Sequence, residues 1–219
     1  MTRKERYQKV LEWFGENVPD PQTELHYGSA YELAVAVILS AQCTDARVNQ
    51  ITPGFFRRFP DAVALAKAKP EEVYELIKSC SYPNNKAKNL VGMARTLVDK
   101  FGGEMPADID RLQQLPGVGR KTANVLASVL FKKPAMAVDT HVFRVAARIG
   151  LTSGAKTPFA SEKQLVKYIP EEMIHKAHHW LILHGRYVCK ARKPDCDNCG
   201  ISGYCKYYNT KFRQAGNIK

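Results

Sequence analysis

Three groups of residues in this chain have types and spacings that can do chemistry. The first is Leu115-Pro116-Gly117-Val118-Gly119-Arg120-Lys121-Thr122. Two glycines separated by one residue predict a tight turn with unhindered amide hydrogens. Such amides, with the N-terminus of a following helix, cradle a phosphate. Leu115, Gly117, Val118, Gly119, Arg120 and Thr122 are therefore candidate contacts, with Arg120 adding charge. A contact of this kind is blind to base sequence. Lys121 follows the turn at the start of the predicted helix. Most lysines are solvated surface charges. A helix N-terminus disfavours the ammonium, and the neutral amine is a nucleophile towards a sugar carbon or a carbonyl. Asp139 lies 18 residues further on, in Val-Asp-Thr-His, where it would cap the next helix. Beside the lysine, its carboxylate would stabilise positive charge or relay a proton.

The second group is Cys189, Cys196, Cys199 and Cys205, spaced C-x6-C-x2-C-x5-C within 17 residues. After Gly185 the chain is rich in Cys, Lys, Arg, Pro and Asp and poor in apolar residues, so it needs a staple to hold shape. Four thiolates in so short a run read as one metal site. Zinc and a cubane iron–sulfur cluster both accept them. Zinc favours two C-x2-C knuckles and only one is present, which leans towards iron–sulfur. Lys190, Arg192 and Lys193 lie between the first two cysteines, with Arg186 just before. A loop pinned at both ends could hold these cations against phosphates, or they form a solvated charge run. Cys43 and Cys80 sit beside apolar positions and read as buried small side chains. The third group, His175, His178, His179 and His184, invites a metal reading. Adjacent His178 and His179 point to different helix sides, so packing roles are expected. His141 follows Asp139 closely and is a candidate to face a binding cleft.

These groups need a scaffold, and helical periodicity supplies it. Tyr7, Val10, Leu11 and Phe14 form one apolar face. Ser29-Ala-Tyr-Glu32 reads as a capping box ahead of Leu33–Leu39. Asp45 is placed to cap a helix towards Phe56, and Pro70-Glu71-Glu72 opens another. The face from Leu90 to Phe101 is stopped by Gly102-Gly103. Thr122–Phe131 and Val142–Ile149 are helical, and Pro170-Glu171-Glu172 begins a last long helix through Leu183. Gly150–Ser161 reads as a loop. No alternating stretch is long enough for a strand. The fold class is all-α, with about ten helices.

Lys plus Arg number 33 and Asp plus Glu 21, a formal charge of +12, which points to a polyanion partner such as nucleic acid. A 45% hydrophobic content excludes a disordered chain. The opening MTRKERYQKV lacks the apolar stretch of a secretory signal, and the run Ala34–Leu39 is far short of the ~20 residues that span a bilayer. A soluble, intracellular protein with reduced cysteines is expected.

LPGVGRKTANV, AVDTHVFRV and the cysteine tail together resemble endonuclease III, the helix-hairpin-helix DNA glycosylases with an iron–sulfur cluster. LSAQCTD at 39–45 and HHWLILHGRYVC at 178–189 fit the same family. The likeness runs through nearly the whole chain, in order. It implies two all-α lobes with a DNA-binding cleft. A central helical domain with the helix-hairpin-helix would span 22–134, and an iron–sulfur domain would join 1–21 to 135–219. It implies removal of oxidised or otherwise damaged pyrimidines from duplex DNA, followed by strand nicking. Lys121 matches the family's nucleophile, Asp139 its carboxylate, and the four cysteines its [4Fe–4S] ligands. Gln42 matches the side chain that fills the gap left by the flipped nucleotide. The partner would be double-stranded DNA holding damaged pyrimidines or abasic sites, met by a monomer at the nucleoid in the cytoplasm. One departure stands out. Where the family carries Gly-Leu/Phe-Tyr before a basic Lys-Ala pair, this chain reads Ser81-Tyr82-Pro83-Asn84-Asn85-Lys86-Ala87. Tyr82 falls at the wedge position, with Lys86 as a further DNA contact. Two other classes remain in view at this level. A non-catalytic DNA-binding module would bind without releasing a base, and an electron carrier would show no DNA preference.

Overall fold

The computed structural model describes residues 1–211. Among these residues there is no strand, and twelve α-helices carry the fold. The chain divides into two compact units. One comprises Thr23–Lys132. The other comprises Met1–Gln22 with Lys133–Lys219, of which 212–219 lie outside the described residues.

The Thr23–Lys132 unit holds α2 (Ala30–Leu39), α3 (Asp45–Arg58), α4 (Ala62–Ala66), α5 (Pro70–Ile77), α6 (Pro83–Phe101), α7 (Ile109–Leu112) and α8 (Arg120–Phe131). Helix α2 is apolar on every side, and Leu33 to Leu39 are all buried, so it is the central pillar. It packs against α3, α6 and α8. Helix α6 is the longest at 19 residues. It buries Ala87, Leu90, Val91, Ala94 and Leu97 on one stripe, and Gly102 ends it in the left-handed conformation.

The other unit contains α1 (Arg3–Asn17), α9 (Thr140–Ile149), α10 (Pro158–Tyr168), α11 (Ile174–Tyr187) and α12 (Lys206–Lys211). The predicted face of Tyr7, Val10, Leu11 and Phe14 is buried. It meets Val142, Val145, Ile149, Leu165, Trp180, Leu181 and Ile201 in one core. Phe14 stacks on Trp180 at 5.6 Å between centroids, and the Trp180 indole donates to the Val18 carbonyl at 2.7 Å. The Arg6 guanidinium donates to the Tyr204 carbonyl, so the first helix is tied to the cysteine-rich end of the chain. Helices α9 and α11 pack closely because position 185 is glycine. A Cβ there would come within 2.8 Å of the His141 Cβ.

Several local expectations need correction. The Ser29 hydroxyl accepts from Glu32 N–H, but the Glu32 carboxylate turns to the Gly28 N–H, so the box is not closed. Thr44, not Asp45, caps α3, because its hydroxyl accepts from Arg47 N–H. Pro158 begins a helix inside the segment read as a loop, with Thr157 as its cap. Glu171–Met173 is a 3-10 turn ahead of α11, which runs on to Tyr187 and is followed by α12.

Phe14 fills the centre of the second core, so Phe14→Ala is expected to cost about 3–5 kcal/mol in urea unfolding. A loss under about 1 kcal/mol would contradict this packing role.

Candidate nucleic-acid and iron–sulfur sites

The hairpin forms as its glycines require. Gly117 has φ +82°, and a Cβ there would approach the Asn89 Cβ to 2.9 Å, so both backbone and space demand glycine. Gly119 differs. Its φ is −82°, and a Cβ would meet nothing within 4 Å. The fold alone does not require glycine there. Gly119 is the N-cap of α8, and no side chain caps that helix end. The Val118 N–H donates to the Leu115 carbonyl. The amides of Gly117 and Gly119 make no backbone bond of that kind among the described residues. The turn therefore presents unoccupied donors at a positive helix end, an arrangement that takes an oxyanion. The Leu115 and Val118 side chains are buried. They anchor the turn in the core. Arg120 and Lys121 are exposed in the first turn of α8, and Thr122 is half-buried.

Helix α6 sets the distance from this turn to a second exposed feature. Asn89 and Gly92 pack against Gly117 and Pro116. Tyr82, two helical turns earlier, is the N-cap of α6 and 63% exposed. Seven residues of rise separate Tyr82 from Asn89, about 10 Å. Tyr82 has φ 55° and Gln42 has φ 54°, both in the left-handed region that non-glycine residues seldom adopt. The Ser81 hydroxyl donates to the Gln42 carbonyl at 2.6 Å, so the two loops lie side by side with Gln42 and Tyr82 exposed. Pro83 opens α6, where its missing N–H costs nothing.

Lys86 corrects the sequence reading. It is 5% exposed, and its ammonium donates to the carbonyls of Leu39 at 2.8 Å and Ala41 at 2.7 Å. Burial holds its pKa below the ordinary lysine value. Lys86 thus caps the C-terminal end of α2 and supports the Gln42 loop from inside. It does not face a phosphate.

Asp139 caps α9 as expected, with Oδ1 accepting from the Val142 N–H at 2.8 Å. It is half-buried, on a different compact unit from Lys121. His141 Nδ1 lies 3.3 Å from Arg144 Nη2. His178 is buried with Nδ1 bonded to the Ala137 carbonyl, a packing role.

The four clustered cysteines line one pocket, walled by Ile149, Val188, Pro194 and Ile201. Burial raises the thiols of Cys196, Cys199 and Cys205, Cys199 to about 11, and the neighbouring thiols add to the effect. Three such thiols become thiolates together only around positive metal. Backbone amides of Ile201, Tyr207 and Tyr208 point at Cys199 and Cys205, the N–H to sulfur bonds that support thiolate ligands. Among the described residues, no three metal-binding side chains converge as a single ion needs. Four thiols at one apolar-walled pocket are a donor set that suits a metal–thiolate centre.

Sequence reasoning missed the two arginines that brace this loop. Arg148 donates to the carbonyls of Lys190 at 2.8 Å and Ala191 at 2.7 Å, and its Nη1 lies 3.6 Å from Cys189 Sγ. Arg144 donates to the Gly185 and Cys189 carbonyls. Both stand on α9, one turn apart, a spacing visible in the sequence without its target. Lys190, Arg192 and Lys193 are exposed on the braced segment, and Arg186 is half-buried.

Gly119→Ala should lower duplex affinity about tenfold by blocking an anion from the amides. Its unfolding free energy should stay within about 1 kcal/mol of the parent. Gly117→Ala should instead destabilise by more than about 1 kcal/mol. Anisotropy titration at fixed salt and urea unfolding separate the two. Equal loss of stability in both would contradict the distinction.

Comparison with known proteins agrees with this geometry. Residues 35–171 match the HhH-GPD superfamily of base excision DNA repair proteins. Residues 189–205 match the iron-sulfur binding domain of endonuclease III. Endonuclease III of Rickettsia felis is 49% identical over 92% of this chain and 94% of its own length. That of Escherichia coli K12 is 44% identical, covering 91% and 94%. A trapped endonuclease III–DNA covalent intermediate superposes with a TM-score of 0.89 at 41% identity, covering 96% of this chain and 99% of that one. No helix among the described residues is long and apolar enough to cross a membrane. The chain belongs to the endonuclease III family, DNA glycosylases with abasic-site lyase activity in base excision repair that carry a [4Fe–4S] cluster.

Proposed function

We propose that this protein removes oxidised pyrimidines from duplex DNA and nicks the resulting site through a Schiff base on Lys121. The observation that carries this reading is the position of Lys121. It is exposed, at the second residue of α8, immediately after the turn whose amides are open to a phosphate. A phosphate held there brings the adjoining sugar towards the amine. The trapped covalent endonuclease III–DNA intermediate of the relative supports a covalent bond between protein and DNA on this scaffold.

The target carbon is inaccessible within the stack, so the damaged nucleotide swings out first. Gln42 and Tyr82, exposed on their paired loops, take the vacated space, the Tyr82 ring stacking on neighbouring bases. The Lys121 amine, once it has given its proton to solvent, attacks C1′, and the C1′–N bond breaks with its electron pair leaving on the base. Asp139, with Oδ1 held by the Val142 N–H, stabilises the positive charge that develops at the sugar. The lysine nitrogen then loses a proton, and its lone pair breaks the C1′–O4′ bond, with O4′ taking up a proton. The open-chain iminium that results acidifies the C2′ proton. Its removal expels the 3′ phosphate by β-elimination and breaks the strand. Water then releases the lysine.

Cys189, Cys196, Cys199 and Cys205 would hold the cluster, which supplies a rigid metal–thiolate node. Arg148 and Arg144 hold the intervening backbone, so that Lys190, Arg192 and Lys193 meet phosphates as a fixed set. The protein would act as a monomer on nucleoid DNA in the cytoplasm.

Borohydride reduction with a duplex holding one oxidised pyrimidine should give a covalent adduct. Lys121→Gln should abolish it while keeping duplex binding. Asp139→Asn should slow base release at least about a hundredfold. Undiminished adduct in Lys121→Gln would overturn the lyase assignment.

A further inference from the structure

Two thiols outside the cluster meet beneath the loops that carry Gln42 and Tyr82. Cys43 Sγ lies 3.8 Å from Cys80 Sγ, although 37 residues separate them in sequence. Cys80 is buried and Cys43 half-buried. The sulfurs are in van der Waals contact, and a disulfide needs about 2.05 Å. The surrounding backbone is fixed. Cys43 N–H donates to the Ser40 carbonyl and Cys80 N–H to the Ile77 carbonyl. The Ser81 hydroxyl joins the loops through the Gln42 carbonyl, and Lys86 clamps the carbonyls of Leu39 and Ala41. The sulfurs are thereby held together at high effective concentration. Burial pushes the Cys80 thiol up to about 11, while the nearby Lys86 and Arg47 cations pull it down. Cys43, the more accessible of the two, is where a soluble reagent enters.

We propose that Cys43 and Cys80 form a reversible disulfide that ties the two exposed loops together. The oxidant is a low-molecular-weight disulfide of the glutathione type. The Cys43 thiolate attacks one of its sulfurs, giving a mixed disulfide and one free thiolate. Cys80 loses its proton to solvent and attacks Cys43 Sγ, expelling the second thiolate. Two protein thiols are oxidised, and one small disulfide is reduced to two thiols. Closing the bond shortens the separation from 3.8 Å to about 2 Å. Gln42 adjoins Cys43, and Tyr82 lies two residues after Cys80, both with left-handed backbone. The displacement therefore passes to both exposed tips. Its consequence for DNA rests on the proposed function: the oxidised protein binds lesion duplex at least about tenfold more weakly, because the inserting side chains are misplaced.

The test uses the full-length protein with its cluster intact, monitored by visible absorbance, and oxidised glutathione as the probe. Non-reducing peptide mapping should find Cys43 and Cys80 joined, lighter by two hydrogens. The link should vanish in Cys43→Ser and on adding dithiothreitol. Duplex affinity should fall on oxidation and recover on reduction, with Cys43→Ser unresponsive. Absence of the joined peptide, or a persistent glutathione adduct on Cys43, would overturn the disulfide. A joined peptide with unaltered duplex affinity would overturn the coupling to DNA. Should the reduced protein ignore damaged duplex, the proposed function fails, and the peptide map still decides the disulfide.

Discussion

An amine can bond to an anomeric carbon only when that carbon has left the base stack and the phosphates on either side are held still. In the proposed reaction every other feature answers this constraint. The open amides at Gly117 and Gly119 address one phosphate without reading a base. The charge of +12 brings the duplex to the surface. The paired loops bearing Gln42 and Tyr82 offer groups to replace what swings out. Their strained backbone persists because Lys86, Ser81 and the two thiols hold it from beneath.

Inward-turned cations recur as the means of holding irregular backbone. Lys86 ends α2 by donating to two carbonyls that no following helical turn could satisfy. Arg148 and Arg144 do the same for the segment after α11, one from each of two turns of α9. A basic protein thus uses its positive charge in two ways. Exposed residues such as Lys190, Arg192 and Lys193 are available to phosphates, and inward-facing ones shape the loops that present them. Composition counts both kinds alike.

That division explains what was legible in the sequence. Tyr7, Val10, Leu11 and Phe14 were readable as a buried face because helical periodicity records burial directly. The Asp139 cap and the Gly102 stop were readable because local backbone chemistry decides them. Helix α10 was hidden because Gly, Ser, Thr and Pro before it resemble a loop, and its own weak apolar stripe gains order from Tyr7, whose hydroxyl donates to the Gln164 carbonyl and whose ring meets Tyr168. Lys86 read as an exposed contact because its partners, Leu39 and Ala41, lie more than forty residues away. The cysteine spacing identified a metal site, while its bracing arginines depend on α9 packing beside α11 through Gly185. Long-range partners leave no local pattern, and the parts of the site that depend on them appear only in three dimensions.

The central claim is that one named nitrogen makes the bond. Mass-spectrometric mapping of the borohydride-reduced complex tests it most directly. The account predicts a deoxyribose remnant on Lys121, in the peptide following Arg120. A remnant on another lysine or on the N-terminal amine would contradict it.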